Sequence, residues 1–526
     1  MPHPGALGAA MAALVMALAL SAPAAAVQGP PVVFVPIDDR PVTLQLPQML
    51  GAIAGQPVVT PPLAMLGHFL RPGDSDAILT WLASPATSGA SAIVVSTDMI
   101  AYGGLVASRA PAVSLAQADA RLRRLAALKA LRPSAFVGVF GTIVRLAPTG
   151  VPPLGSALHY WATGETVTLI AQYANLPDPP RTREQQAYAA QLRARIGAPL
   201  DVYFATRARD LYVDESALHY AGDGAFDRIV LGQDDAGPVG LHVRDVAALE
   251  SDARALGLNE RASIEPGADE LGMLLLARAF ARNAGWEPRV RVVYSRAGAG
   301  RLVDPLEFVP LDTTIGRIIV ACGARRVDAG PDITLFVKVP ETNDADERAF
   351  EDALADRANA GAGVAVADLT FLRGGPGDEQ RELTEALIAR GIAGRVDGFA
   401  SWNTDANTVG TALPAAIAAG AGRRTGRFDS RAKAQFLLDR YIDDYAFHQF
   451  VRPALNAEVR ARGVDTDLLV PPVAEETAAE NRALLWPYAV DLLERIFPQY
   501  RDGGLTITLP WDRTFETEID VRLNAR

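Results

Sequence analysis

Short apolar runs alternate along the chain with stretches whose apolar residues recur at helical spacing. The pattern predicts strands at 32–37, 57–60, 92–97, 136–143, 201–205, 228–232, 290–294, 333–339, 364–368 and 396–400. Ile93-Val94-Val95 and Ile229-Val230-Leu231 are apolar on both faces, as strands buried between two helical layers must be. Helices are predicted between them, including 115–131 and 268–284; in the first, Leu115, Ala118, Leu122, Leu125, Ala126 and Leu128 make a continuous stripe. Residues 255–267 and 297–332 have the Gly and Pro density of connections, apart from the run IIVACGA, which reads as a strand. Beyond Pro414 the character turns helical: 430–450 with Ser430 as N-cap, then 473–497 after Pro471-Pro472, with a final strand at 505–510. Alternation of this kind predicts an α/β fold. A parallel-sheet core, for which a (β/α)-barrel is one form, would be followed by a second α/β segment and a helical C-terminal region. The expected divisions are 1–26, 27–260, 261–415 and 416–526, and no internal repeat is visible.

The opening segment reads as an address. Residues 7–21 are apolar and lead into Ala-Pro-Ala-Ala-Ala-Val, the pattern of a signal peptide cleaved after Ala24 to Ala26, although no Lys or Arg precedes the run. Export to the periplasm or medium is expected, with no membrane span in the mature protein. Apolar residues at 49% and charged residues at 21% are ordinary globular values, which excludes a disordered or fibrous chain. A net charge of −11 and a pI near 5.2 argue against a nucleic-acid partner. Only Lys129, Lys338 and Lys433 of the 50 basic residues are lysine, a skew that reads as genome composition.

Cys322 is the single cysteine, so no internal disulfide forms, and its apolar surroundings suit a buried small hydrophobe better than a nucleophile. The six histidines show neither H-x-x-x-H nor H-x-H spacing, which argues against a histidine-built zinc site. Neither a phosphate loop, a G-x-S-x-G elbow nor a calcium loop is present.

What remains is a set of polar strand ends. Asp38-Asp39-Arg40-Pro41, Thr97-Asp98 with Tyr102-Gly103-Gly104, Gln233-Asp234-Asp235, Glu341-Thr342-Asn343, Asp368 and Trp402-Asn403-Thr404-Asp405 each follow an apolar run. The carboxyl ends of parallel strands share one face, where ligands bind, so the six predict one acidic cleft. Asp38, Asp39, Asp98, Asp234 and Asp235 are the candidate acid–base or nucleophilic residues, since adjacent carboxylates can be driven to different protonation states. Arg40, Tyr102, Gly103, Gly104, Arg145, Glu270, Trp402 and Asn403 are candidates for holding substrate. Each has a plain structural alternative: an ion pair at a turn for Asp38 to Arg40, a helix cap for Asp98, a turn for Asp234-Asp235. For Asp269-Glu270 it is a first-turn dipole partner, and for Trp402 simple burial.

Taken together and in order, VPIDDRP (35–41), STDMIAYGGLVASR (96–109), LGQDDA (231–236), GADELGMLLLAR (267–278), GFASWNTDANTVGTAL (398–413) and LPWDRTFE (509–516) resemble the bacterial family catalogued as domain of unknown function 4127. The resemblance covers nearly the whole mature chain. It implies one full-length architecture and brings no catalytic residues with it.

The expected function is an exported hydrolase, with a glycoside as substrate, because paired carboxylates and an oxocarbenium-like transition state suit an acidic cleft without Cys, His clusters or a Ser elbow. No cofactor is predicted. A hydrolase using the same carboxylates to hold a divalent metal is one alternative. A non-catalytic carbohydrate-binding protein is the other.

Overall fold

The computed structural model describes residues 28–148, 164–370 and 378–526; the leader expected over 1–26 lies outside the described residues. Two open parallel sheets organise the chain. The first contains β1 (Val32–Val35), β2 (Val58–Val59), β3 (Ala92–Ser96), β4 (Phe136–Ile143), β5 (Arg228–Gln233) and β6 (Ala262–Pro266) in the order β2-β1-β3-β4-β5-β6. The second contains β7 (Arg289–Tyr294), β8 (Arg325–Arg326), β9 (Ile333–Lys338), β10 (Gly363–Asp368) and β11 (Gly398–Ala400) in the order β11-β10-β9-β7-β8. The α/β class stands. Both sheets end in edge strands, so neither closes into the barrel considered above.

Counted from its own first strand, each sheet begins 2-1-3-4-5, the order of a doubly wound sheet. The repeat invisible in the sequence is therefore present in the topology. Side chains alternate across each strand. In the first sheet Val32, Phe34, Val94, Phe140 and Val230 face one core, while Val33, Val35, Ile93, Val95, Val139 and Leu231 face another.

The first of these cores continues through helix Leu271–Asn283 into the second sheet. That helix is buried on almost every side because structure packs on both its flanks. At Gly272 it lies directly on the first sheet, where a Cβ would stand 2.7 Å from the Phe34 ring. Helix Asp405–Thr425, which runs through Pro414, packs against it and is also almost wholly buried. The C-terminal region adds helices through Val473–Ile496 and two small antiparallel pairs. These are β12 (Tyr500–Asp502) with β15 (Leu523–Ala525), and β13 (Thr506–Thr508) with β14 (Glu518–Asp520).

Several expected elements differ. Residues 201–205 lie inside helix Ala198–Gly222, whose buried residues Tyr203, Thr206, Arg207, Asp210, Val213, Asp214 and Ala217 keep helical spacing. The aromatic and β-branched run that suggested a strand is too short for periodicity to separate the two. The first four residues of IIVACGA likewise end helix Leu311–Ala321, with Cys322 as its C-cap: Ile315, Ile318, Ile319 and Cys322 are buried while Val320 is 48% exposed. Strand β6 falls where a connection was expected; its Pro266 is tolerated at an edge that needs no further ladder donor. The helix at 430–450 is capped by Asp429, not Ser430, its carboxylate accepting from the N–H of Arg431 at 2.8 Å, and it continues as a π-helix over Tyr441–Val451. The strand at 505–510 is β13 and is not the last. Among the described residues no helix is long and apolar enough to cross a membrane.

Candidate functional site

Ligands bind doubly wound sheets outside the strand carboxyl ends, where the strand order reverses. In the first sheet that point lies between β1 and β3, and a cavity of about 240 Å³ opens there. In the second, the corresponding point between β7 and β9 is closed by Ser295, whose hydroxyl lies 2.7 Å from that of Thr342 and accepts from the Val339 N–H at 3.0 Å.

The end of β1 supplies Arg40. Its Nε sits 3.0 Å from both carboxylate oxygens of Asp38, and its Nη1 donates to Asp269 at 3.0 Å. The Thr43 hydroxyl donates to Asp38 at 2.6 Å. Burial works against the Arg40 charge, but Asp269 and Asp38 overcome it and hold the guanidinium well above its ordinary value. Asp38 is thus a buried anchor behind the cavity wall. Asp39 also stands outside the cavity lining: it accepts from Trp511 Nε1 at 2.8 Å and lies 2.8 Å from His68 Nδ1.

Past β3 the chain enters helix Thr97–Ala101, capped by the Ser96 hydroxyl, which accepts from the Met99 N–H at 3.2 Å. Asp98 points sideways, accepting from the Thr142 N–H at 2.9 Å and hydroxyl at 3.0 Å. Burial pushes its carboxyl up to about 7 against those bonds, with Asp210 adding to the rise. Tyr102 packs under the Arg209 guanidinium, 4.3 Å from its ring centre. Gly103, at φ +95°, makes a turn so close to Gly73 that a Cβ would meet its carbonyl oxygen at 2.7 Å. Asp98, Tyr102, Gly103 and Gly104 all lie outside the cavity lining; that turn instead leads into helix Leu105–Ser108 and delivers Arg109 to it.

The ends of β4 and β5 carry the groups of greatest chemical interest. Asp234 accepts from Arg109 Nη2 at 2.5 Å. Asp235 makes no side-chain hydrogen bond or ion pair among the described residues, although it lines the cavity and is half-buried. Burial raises it to about 7, Asp234 and Asp269 add to the rise, and Arg145 and Arg109 oppose it. Arg145 donates from Nε to the Ala147 carbonyl at 2.8 Å and has no carboxylate partner among the described residues. Burial lowers it to about 10, with neighbouring Arg109 contributing.

The remaining wall comes from farther along the chain. Asp269 follows β6. Asn403, at φ +55° in the turn after β11, donates to Asn407 at 2.7 Å, and Asn407 in turn donates to Glu270 at 2.6 Å. Glu270 is therefore a buried support for Asn407 and does not line the cavity. Trp402 is 5% exposed, donates to the Thr411 hydroxyl at 3.2 Å, and also lies outside it.

The hairpin loop between β13 and β14 lies against the opening. In it Trp511, Arg513 and Phe515, alternate residues of a bent segment, all line the cavity. Arg513 sits 4.6 Å from the Trp511 ring centre and pairs with Glu516 at 2.8 Å, while Phe69 stacks on Trp511 at 5.1 Å.

The structure therefore brings Arg40, Arg145, Asp234, Asp235 and Asn403 together and sets the other candidates behind or beside them. Of the pair Asp269-Glu270 it is Asp269 that reaches the cavity; Arg109, Phe69, Trp511, Arg513 and Phe515 were not anticipated. The alternation W-x-R-x-F within LPWDRTFE was the available signal for the last three. Nor is the cleft simply acidic: Asp234, Asp235, Asp269 and Asp467 are matched by Arg40, Arg109, Arg145 and Arg513. Of the other strand ends, Asp368 borders a smaller neighbouring pocket with Trp402 and Asn403. Among the described residues no three His, Cys, Asp or Glu side chains are grouped to hold a metal ion.

No curated protein matches the chain, and no solved structure does. One family model matches residues 32–520, described as "Protein of unknown function (DUF4127)". Its span takes in every strand of both sheets and the hairpin over the cavity, and the chain belongs to that family.

Proposed function

We propose that the protein is an exported hydrolase that cleaves a glycoside in this cavity, with Asp235 as general acid. The observation that carries the reading is Asp235 itself, a half-buried carboxyl at the end of β5, raised to about 7 and without a side-chain partner among the described residues. A carboxyl in that range is protonated often enough near neutrality to give its proton to a leaving glycosidic oxygen. As the C1–O bond breaks, positive charge develops at the sugar ring. Asp234 faces the same cavity; with Oδ2 on Arg109, it has Oδ1 left to accept a proton from the attacking water. Trp511, Phe69 and Phe515 supply flat apolar surface for a sugar ring, and Asn403 supplies an amide. The apolar run at 7–21 supports export.

A metal-assisted mechanism fits these residues poorly. Asp38 is taken up by Arg40 and Thr43, Asp39 by Trp511 and His68, and Asp234 by Arg109, so each would have to give up a partner to bind an ion. A non-catalytic sugar-binding protein is the second reading, favoured by the shared strand order of the two sheets.

The test is release of aryl alcohol from a panel of aryl glycosides by the purified protein and by Asp235→Asn. Loss of a general acid should lower turnover by about 10²–10⁴-fold with the fold intact. Full activity in Asp235→Asn would remove the assignment, and saturable sugar binding without turnover in either protein would favour the binding reading.

A further inference from the structure

Resting on the reading of this cavity as a sugar site, we propose that the sugar it accepts is a uronide, whose C5 carboxylate pairs with Arg145. Most of the charges in the cavity are already matched. Arg40 is held by Asp38 and Asp269, Arg109 by Asp234, and Arg513 by Glu516. Arg145 alone among the four lining guanidiniums has no carboxylate partner, and its two Nη groups make no hydrogen bond among the described residues. A half-buried guanidinium without a counter-ion is costly, and its fixed fork of donors matches a planar carboxylate. Asp235 is close enough to influence Arg145, yet the two do not form an ion pair. The missing anion is therefore one that the ligand brings.

Its sharing of the cavity with Asp235 narrows the class. In a uronide C5, which carries the carboxylate, and the anomeric carbon flank the ring oxygen. Arg145 and Asp235 line the same small cavity, so a single ring whose carboxylate pairs with Arg145 keeps its glycosidic oxygen in the cavity that holds Asp235. The cavity, at about 240 Å³, is smaller than the ~300–1,000 Å³ of typical ligand sites, which suits one terminal ring better than a chain. Binding would also reinforce the chemistry: a ligand carboxylate neutralises Arg145 and places negative charge near Asp235, and both effects favour the protonated acid.

Titration calorimetry with D-glucuronate, D-galacturonate, D-glucose and inorganic phosphate, on the wild type, Arg145→Met and Arg145→Lys, tests this. One of the uronates should bind at least about 10-fold more tightly than glucose. Arg145→Met should weaken it by about 10–100-fold, the range of a lost charge-assisted pair, with Arg145→Lys between. Equal binding of glucose and both uronates would overturn the proposal, as would uronate binding unchanged in Arg145→Met or phosphate bound in place of either uronate. Should Arg145→Met fail to fold, the Lys variant and the wild-type ligand ranking decide. Uronate binding without cleavage of any aryl uronide removes the hydrolase and keeps the anion site; cleavage of neutral glycosides without uronate binding does the reverse.

Discussion

The indole N–H of Trp511 donates to Asp39 at 2.8 Å, tying the hairpin loop over the cavity to the end of the first strand across 472 residues of sequence. On its other oxygen Asp39 meets His68 at 2.8 Å, and Phe69 stacks on the same indole, so two distant segments close on one carboxylate. The cavity roof is held to the first sheet at this point.

Trp511→Phe should keep the ring and lose the bond, costing about 1.5–3 kcal/mol in urea unfolding, as expected for a hydrogen bond to a charged group. Combined with Asp39→Asn in a double-mutant cycle, the pair should show a coupling of about 0.5–3 kcal/mol. Strict additivity would mean that the bond does not form in solution.

Arg40 bridges Asp38 and Asp269 from a position only 4% exposed. Arg40→Met removes the charge between two carboxylates, and breaking a buried pair from one side costs about 3–5 kcal/mol. The unfolding midpoint should fall accordingly. A loss below about 1 kcal/mol would show that water reaches the pair.

The same local signal, two adjacent aspartates after an apolar strand, marks both Asp38-Asp39 and Asp234-Asp235, and the sequence gives no means of ranking them. Their fates differ because of partners far away: Trp511 for Asp39, and Asp269 for the arginine that holds Asp38, 229 residues from it. The strands themselves were legible because parallel strands buried on both faces must be apolar throughout, which is a local property. The exceptions, Ala198–Gly222 and Leu311–Ala321, are helices whose β-branched and aromatic residues look strand-like until their burial is known. The convergence of β1, β3, β4, β5 and β6 on one cavity follows from parallel topology. The contribution of the β13–β14 loop does not, since nothing local places a distant hairpin over the strand ends.

On the proposed hydrolase reading, Asp235 should set an alkaline limb of activity. A general acid must be protonated, so kcat/KM should fall as pH rises through about 7. If substrate brings a negative charge to Arg145, the same limb in kcat should lie at higher pH. A limb that persists unchanged in a residual activity of Asp235→Asn would assign the titration to another group.

Asp98 predicts a pH dependence of stability rather than of rate. Its folded carboxyl is raised to about 7, above the ordinary carboxylate range, so between roughly pH 4 and 7 the folded state binds more protons than the unfolded one. The stabilisation from this site is complete below about pH 4 and is lost as pH rises through about 7, which favours pH 6 over pH 8. The histidines His242 and His448, held neutral by burial, act in the opposite sense, and chiefly below the ordinary histidine value. Melting temperature should therefore be higher at pH 6 than at pH 8, and Asp98→Asn should reduce that difference. Asparagine keeps an oxygen that can accept from the Thr142 N–H and removes the ionisation that burial opposes. An undiminished pH 6 to pH 8 difference in Asp98→Asn would place the linked proton elsewhere, with Asp235→Asn as the next variant to melt.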